Sequence, residues 1–392
     1  MKNFTYYTPT KVIFGKGAEE QVGALIQAQS CQKVLVHYGS GSVQRSGLLD
    51  KIYDSLNAAG IAYVSLGGVV PNPRLSKVYE GIELAKKEGV DFILAVGGGS
   101  TIDSAKAIGY GLANDGDVWD FYARTRQPVG CTPVGTVLPL AAAGSEMSNS
   151  SVITKEEGWL KRSCNTDFGR CQFAIMNPEL TYTLPAYQSA CGATDIMMHT
   201  MERYFVTHQT MEITDNLSEA LLRTVKNNAL TAINNPTDYN ARAEIMWAGS
   251  LAHNDLTGCG ADGGDWATHQ LEHELGGLYD VAHGAGLAAV WGSWARYVYK
   301  EKPARFARFA TNVMGVADQG DDDKTALAGI AAVEDFYRSI QMPTNLRELG
   351  VTVTDEDIVE MAQKASANGT QTLGAFKALA QSDMEAIFHM AK

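Results

Sequence analysis

Short apolar runs alternate with helical stretches through the first half of this sequence, and then the alternation stops. Lys33-Val34-Leu35-Val36-His37-Tyr38 reads as a strand, followed by a Gly/Ser turn and a helical segment over residues 47–59. Residues 61–66 form another apolar run and residues 76–88 another helical pattern, leading into Asp91-Phe92-Ile93-Leu94-Ala95-Val96. Apolar runs of that length, separated by helices, are the signature of a parallel sheet covered on both faces. Over residues 150–176 the character changes. Extended segments broken at Glu157-Gly158 and Phe168-Gly169 predict a hairpin-like excursion from the same sheet. After Leu184-Pro185 the β-rich runs largely disappear. Helical spacing takes over at residues 189–205, 215–233, 239–254, 306–313, 325–340 and 355–367. The breaks carry Asn234-Asn235-Pro236, Gly258, Gly263-Gly264 and Met342-Pro343. A chain of 392 residues has room for two cores. The expected organisation is an α/β domain over 1–186 followed by an all-helical domain over 187–392.

Charge removes several functions. Lys and Arg number 32 against 44 Asp and Glu, a net −12, so the overall field does not favour phosphate backbones or anionic membrane. No run approaches 18 apolar residues, and the first fifteen residues hold no apolar stretch of the secretory kind. The six cysteines, Cys31, Cys131, Cys164, Cys171, Cys191 and Cys259, lie scattered without a CxxC pair and read as reduced packing residues. The expectation is a cytoplasmic protein that binds neither nucleic acid nor membrane.

Two turns in the first half point to a nucleotide. Gly97-Gly98-Gly99-Ser100-Thr101-Ile102-Asp103 follows an apolar strand and opens a helix. Glycines let the backbone approach a bulky anion, and a helix N-terminus offers unpaired N–H groups to a pyrophosphate. The usual GxGxxG is absent, because Ile102 stands in place of its third glycine, and there is no GxxxxGK[ST] loop. The other turn, Tyr38-Gly39-Ser40-Gly41-Ser42, ends an earlier strand, where a dinucleotide fold often places an acid for the ribose hydroxyl. No acid lies between Lys33 and Leu49, whereas the serines and Arg45 would welcome a 2′-phosphate. NADP(H) is therefore expected over NAD(H).

The second half holds a histidine cluster. His269 and His273 are four apart, on one helix face, and His283 follows across a Gly276-Gly277 break that could fold it back. Asp195 and His199 repeat the four-residue spacing upstream. One carboxylate and several imidazoles suit Zn²⁺ or Fe²⁺. A zinc peptidase is disfavoured, since His273-Glu274-Leu275-Gly276-Gly277 has glycine where HExxH needs its second histidine. His37, His208, His253 and His389 lack such company and are expected to be surface or packing residues.

Together these segments resemble the iron-containing (group III) alcohol dehydrogenase family, and within it the NADPH-dependent butanol dehydrogenase and aldehyde reductase branch. The resemblance spans nearly the whole chain. Its landmarks are Thr10–Gly17, Pro71-Asn72-Pro73, the glycine turn through Lys106, Gly144-Ser145-Glu146, Tyr182-Thr183-Leu184-Pro185 and the two histidine segments. It implies a Rossmann-like domain followed by an all-α metal-binding domain, in the architecture shared with dehydroquinate synthase. It also implies Asp195, His199, His269 and His283 as metal ligands, Fe²⁺ favoured and Zn²⁺ accepted, with His273 nearby as the proton-transfer residue. Gly97, Gly98, Gly99, Ser100 and Asp103 match the cofactor loop, Gly39, Ser40 and Ser42 the adenosine ribose, and Lys161 the nicotinamide region. This chain departs from the family at Pro139-Leu140-Ala141-Ala142-Ala143, where many members carry two threonines.

The reaction implied is hydride transfer between NADP(H) and a small primary alcohol or aldehyde, butanol or butyraldehyde for example, by a homodimer. Two rival readings are a dehydroquinate synthase-like lyase and a nonenzymatic metal-binding protein. The lyase needs Lys and Arg around its metal, and the segments here carry Met197, Met198, Trp266 and Leu271. The nonenzymatic reading leaves the glycine turn without a purpose.

Overall fold

The computed structural model describes residues 1–208 and 210–392. Backbone contacts divide the chain into an α/β unit, Tyr7–Thr183, and a helical unit made of Met1–Tyr6 and Leu184–Lys392. The single cut expected at residue 186 therefore misses the N-terminal segment. Lys2 N–H donates to the Gly260 carbonyl at 3.0 Å and its ammonium meets Asp262 at 2.7 Å, while the Asn254 amide donates to the Tyr6 hydroxyl at 3.2 Å.

In the α/β unit the strands are β1 (Lys11–Phe14), β2 (Lys33–Gly39), β3 (Ala62–Val69), β4 (Phe92–Val96), β5 (Val134–Leu138), β6 (Ser150–Lys155), β7 (Leu160–Asn165) and β8 (Phe173–Met176). Its helices are α1 (Val22–Gln27), α2 (Ser42–Arg45), α3 (Leu48–Ala58), α4 (Leu75–Glu88), α5 (Gly99–Ala113) and α6 (Trp119–Tyr122). Six strands form one parallel sheet in the order β1-β8-β5-β4-β2-β3. The expected hairpin is β6 and β7, paired antiparallel, but it forms its own two-stranded sheet rather than extending the large one. The last extended piece, β8, inserts between β1 and β5. Strand periodicity is local and carries no information about which strand is the neighbour.

Every residue of β4 is buried, as both-face coverage requires. Val34, Val36, Leu94, Val96 and Ile175 present one face to Ile26 of α1 and to Leu48, Ile52 and Leu56 of α3, whose four-residue spacing keeps them on one stripe. Each fully buried aliphatic contributes on the order of 1.5–3 kcal/mol of burial free energy. From β2 the chain crosses to β3 on one side, and from β4 to β5 on the other. The switch of direction falls between β2 and β4, where open α/β sheets bind their ligands at the carboxyl ends of the strands.

The helical unit contains α7 (Ala186–Tyr204), α8 (Glu212–Asn234), α9 (Tyr239–His253), α10 (Ala267–Tyr279), α11 (His283–Val298), α12 (Pro303–Phe309), α13 (Asp322–Ser339), α14 (Asp355–Ala365) and α15 (Gln381–Ala391). Helix α7 is buried on all sides from Ser189 to Tyr204, with α8, α9 and α11 packed against it. Among the described residues no helix is long and apolar enough to cross a membrane.

Candidate metal centre and nucleotide turns

Because α7 is central, every polar side chain on it must find a partner or a purpose. Asp195 and His199 sit one turn apart there, with only 6% of either side chain exposed. His269, in the first turn of α10, is 7% exposed, and His283 opens α11. The Gly276-Gly277 break expected between them does not exist. Helix α10 runs through both glycines and ends at Asp280, in the left-handed region at φ 51°. What brings His283 back is its neighbour Gly284, where a Cβ would stand 2.2 Å from the Cys191 carbonyl oxygen. Only glycine lets α11 lie directly on the backbone of α7 there.

Asp195 Oδ1 lies 3.4 Å from His199 Nδ1, 3.7 Å from His269 Nε2 and 3.7 Å from His283 Nε2. Asp195 Oδ1, His199 Nδ1 and His269 Nε2 are buried without a hydrogen-bond partner. Donor atoms around one tetrahedral cation at about 2.1 Å would be about 3.4 Å apart. A buried, unpaired donor set at that spacing fits a divalent cation, and an orphaned polar cluster otherwise costs stability. His283 is 26% exposed, so the cluster has one side open to solvent.

Two carboxylates orient the imidazoles from behind. Glu202 Oε1 accepts from His269 Nδ1 at 3.1 Å and from His269 N–H at 3.0 Å, while its Oε2 accepts from Trp266 N–H at 2.7 Å. It thus caps the start of α10 and sets the ring in one stroke. Trp266 holds φ 64° to make that bond. Glu272 accepts from His283 Nδ1 in the same way. A carboxylate on the distal nitrogen fixes the tautomer and raises the basicity of a ligating imidazole. Neither glutamate was singled out from sequence. Each bonds a histidine on another helix, Glu202 to His269 and Glu272 to His283, so no local spacing in the sequence signals the role.

The electrostatics follow from this crowding. Burial works to raise the Asp195 carboxyl, but the imidazoles of His199, His283 and His269 outweigh it and hold the group below the usual carboxylate range. Burial pushes His199 well down, with the His253 imidazole adding to it. Burial also opposes protonation of His269, yet Asp195 and Glu202 raise it to about 9. His273 stands outside the group around Asp195, with its ring 6.0 Å from that of His283. His208 and His389 are exposed. His253, expected as a surface or packing residue, packs its ring on His199 at 4.0 Å.

The two turns of the α/β unit lie side by side. Tyr38 and Val96 are register partners, so Gly39 and Gly97 end adjacent strands at the switch point. The glycines of the longer turn are needed for close packing. A Cβ on Gly97 would stand 2.4 Å from Thr101 Oγ1, one on Gly98 2.8 Å from Leu140 and one on Gly99 2.9 Å from Ala143. Leu140, at one of the positions that depart from the family, therefore lies over the turn. Ser100 follows in the first turn of α5.

Asp103 turns out to be engaged within the protein: its carboxylate accepts from Ser145 Oγ at 2.5 Å and from Val152 N–H at 3.0 Å. Lys106 is fully buried and donates to the carbonyls of Ser145, Ser148 and Ser150 at 2.7, 2.9 and 2.8 Å. Both tie α5 to the segment entering β6. Lys161 is buried on β7. At the other turn Ser40 and Ser42 are exposed, and a Cβ on Gly41 would stand 2.8 Å from an Arg45 guanidinium nitrogen. His37 ties β2 to β3 and to α5. Its Nδ1 donates to the Leu66 carbonyl at 2.9 Å, so its Nε2 accepts from Ser104 Oγ at 2.8 Å on α5.

Comparison with known proteins gives this arrangement its relatives. Residues 9–178 match the iron-containing alcohol dehydrogenase family, and residues 189–392 match the C-terminal part of the Fe-containing alcohol dehydrogenase family. The chain is 41% identical over 388 residues to a probable NADH-dependent butanol dehydrogenase of Bacillus subtilis, covering 99% of both. It is 33% identical over 377 residues to an NADPH-dependent aldehyde reductase of Escherichia coli, covering 95% of both. Among solved structures, an NADH-dependent butanol dehydrogenase of Thermotoga maritima superimposes with a TM-score of 0.96 at 37% identity, covering 100% of this chain and 99% of that one.

Proposed function

The chain belongs to the iron-containing alcohol dehydrogenase family, and from that premise we propose that it transfers a hydride between NADP(H) and a small primary alcohol or aldehyde, of the size of butanol or butyraldehyde. The observation that carries the reading is the buried, unpartnered donor set of Asp195, His199 and His269, completed by the part-exposed His283. Those residues would hold Fe²⁺, with Zn²⁺ as the cation the same donors also accept. When bound, the cation supplies Lewis acidity toward the substrate oxygen and the dinucleotide supplies the hydride. His273 holds and moves the proton, being beside the donor set but outside it. Glu202 and Glu272 keep the rings of His269 and His283 aimed. Met197 and Met198 are buried next to the ligands in sequence, and an apolar surrounding of that kind favours a weakly polar substrate.

The cofactor assignment rests on the two turns. Gly97, Gly98, Gly99 and Ser100 open α5 toward the pyrophosphate, and Asp103 acts through Ser145 as a positioning residue. Gly39, Ser40 and Ser42 face the ribose in this reading, with Arg45 supplying positive charge to a 2′-phosphate. Lys161 approaches the nicotinamide end. The relative at 41% identity is named for NADH and the one at 33% for NADPH, so the proposed preference for NADPH rests on this turn's own chemistry alone. Reconstitution with Fe²⁺ or Zn²⁺, followed by assay of an aldehyde panel with NADPH and NADH, tests the proposal. Aldehyde reduction faster with NADPH is expected. No turnover with any aldehyde under either metal would overturn it.

A further inference from the structure

Two of the three imidazoles around Asp195 have their distal nitrogen on a carboxylate, Glu202 for His269 and Glu272 for His283. His199 is different. Among the described residues, neither of its nitrogens meets a carboxylate other than Asp195, which is itself in the donor set. Its ring is held by stacking instead, against the ligand-set ring of His269 at 4.6 Å and, more closely, against a histidine outside the donor set. His253, the last residue of α9, stacks on it with centroids 4.0 Å apart and planes inclined by 30°.

His253 is itself anchored. Arg203 donates from one nitrogen to His253 Nδ1 at 3.1 Å, and from the other to the carbonyls of His199 and Ala252 at 3.1 and 3.0 Å. The guanidinium also lies 4.6 Å over the ring of Trp266. A guanidinium only donates, so Nδ1 of His253 accepts and its proton sits on Nε2. One side chain thereby ties the backbone of His199 to the ring that covers it. Arg203 is adjacent in sequence to Glu202, so a single turn of α7 supports both His199 and His269.

We propose that His253 is a positioning residue of the metal centre: by stacking, it sets the rotation of the His199 ring, as Glu202 and Glu272 do by hydrogen bonding for the other two histidines. The inference rests on the metal-centre reading above. It also says why Arg203 is buried at this place, since Arg203 fixes the plane of His253.

The test uses Co²⁺ as the probe, read by its visible absorption and by competition with a chelator, on the full chain. His253→Ala is expected to bind cobalt about tenfold or more weakly and to shift the visible bands, the usual scale for losing a ligand's outer support. His253→Phe restores an aromatic face without the Arg203 bond and is expected to recover most of the affinity and the parent spectrum. Far-ultraviolet circular dichroism and the unfolding midpoint of the metal-free proteins, unchanged throughout, confirm that each variant is folded. If His253→Ala does not fold, His253→Leu fills the space without a stacking face, and its comparison with His253→Phe still decides. A His253→Ala or His253→Leu protein with the parent's affinity and spectrum overturns the inference, as does a His253→Phe protein no better than these. A parent that takes up no cobalt overturns the metal-centre reading and this inference with it.

Discussion

At the scale of single residues, the three histidines 269, 273 and 283 have separate places although they crowd one segment. His269 and His283 each bring Nε2 to within 3.7 Å of the same Asp195 oxygen, and His273 does not share that oxygen. Removing a ligand and removing a proton carrier should therefore fail differently. Asp195→Ala and His269→Ala are expected to lose bound metal and nearly all turnover while remaining folded, because the proposed centre then lacks one of its four ligands. His273→Ala is expected to keep its metal and lose about 10²-fold in rate, the usual scale for a general acid–base group. Elemental analysis of the three variants beside their kcat values is the check. Full occupancy in the first two, or an empty site in His273→Ala, would reverse the assignment.

At the scale of elements, the turns after β2 and β4 are built for different tolerances. Gly97, Gly98 and Gly99 have no room for a side chain, but Gly39 does. Its added Cβ would meet only the Val69 carbonyl at 3.6 Å and Thr101 Oγ1 at 3.9 Å, and its φ is not positive. Gly39→Asp should fold and set a negative charge beside the ribose, so it is expected to reverse a preference for NADPH. Catalytic efficiencies with both cofactors decide, and a variant that still favours NADPH counts against this reading of the turn. Helix α5 shares its link to residues 145–150 between Asp103 and Lys106, the latter making three of the bonds. Lys106→Met removes three charge-assisted hydrogen bonds and leaves buried carbonyls unpaired, at roughly 1–3 kcal/mol each. A loss of about 3 kcal/mol or more in denaturant unfolding is expected, and an unchanged midpoint would show that water replaces the ammonium.

At the scale of the whole molecule, acid stability carries the mark of a buried histidine in the α/β unit, His37, in addition to the buried His199 of the donor set. Burial lowers His37 to about 4, against an ordinary value near 6.5, with the Leu66 carbonyl only partly opposing the shift. The unfolded chain binds a proton between those values and the folded chain does not. The stabilisation is therefore fully present above pH 6.5 and declines as the pH falls toward 4, by about 3 kcal/mol in all. His37→Gln should lose stability at neutral pH, through its lost contacts, yet show a shallower decline between pH 6.5 and 4. Unfolding midpoints across that range test it, and parallel curves for parent and variant would exclude His37 as the source.

Periodicity alone determined the two kinds of structure here, because burial on both faces of β4 demands an apolar run, and the helices carry a three- to four-residue spacing, each visible in a short window. The four-residue spacings Asp195/His199 and His269/His273 were visible for the same local reason. Convergence was not. That Asp195, His199, His269 and His283 share a centre depends on α11 lying against the backbone of α7 at Gly284, a contact made by residues 93 positions apart in the chain. Neighbours in the sheet were equally hidden: β8 enters between β1 and β5, and β6–β7 stand apart, although both read as one excursion. His253 shows the limit most clearly. With no spaced partner it reads as a packing residue, and only the packing of α9 on α7 puts its ring on His199. Patterns of three or four residues report which face of an element is buried; which faces meet is decided by non-local close packing, which no window of sequence contains.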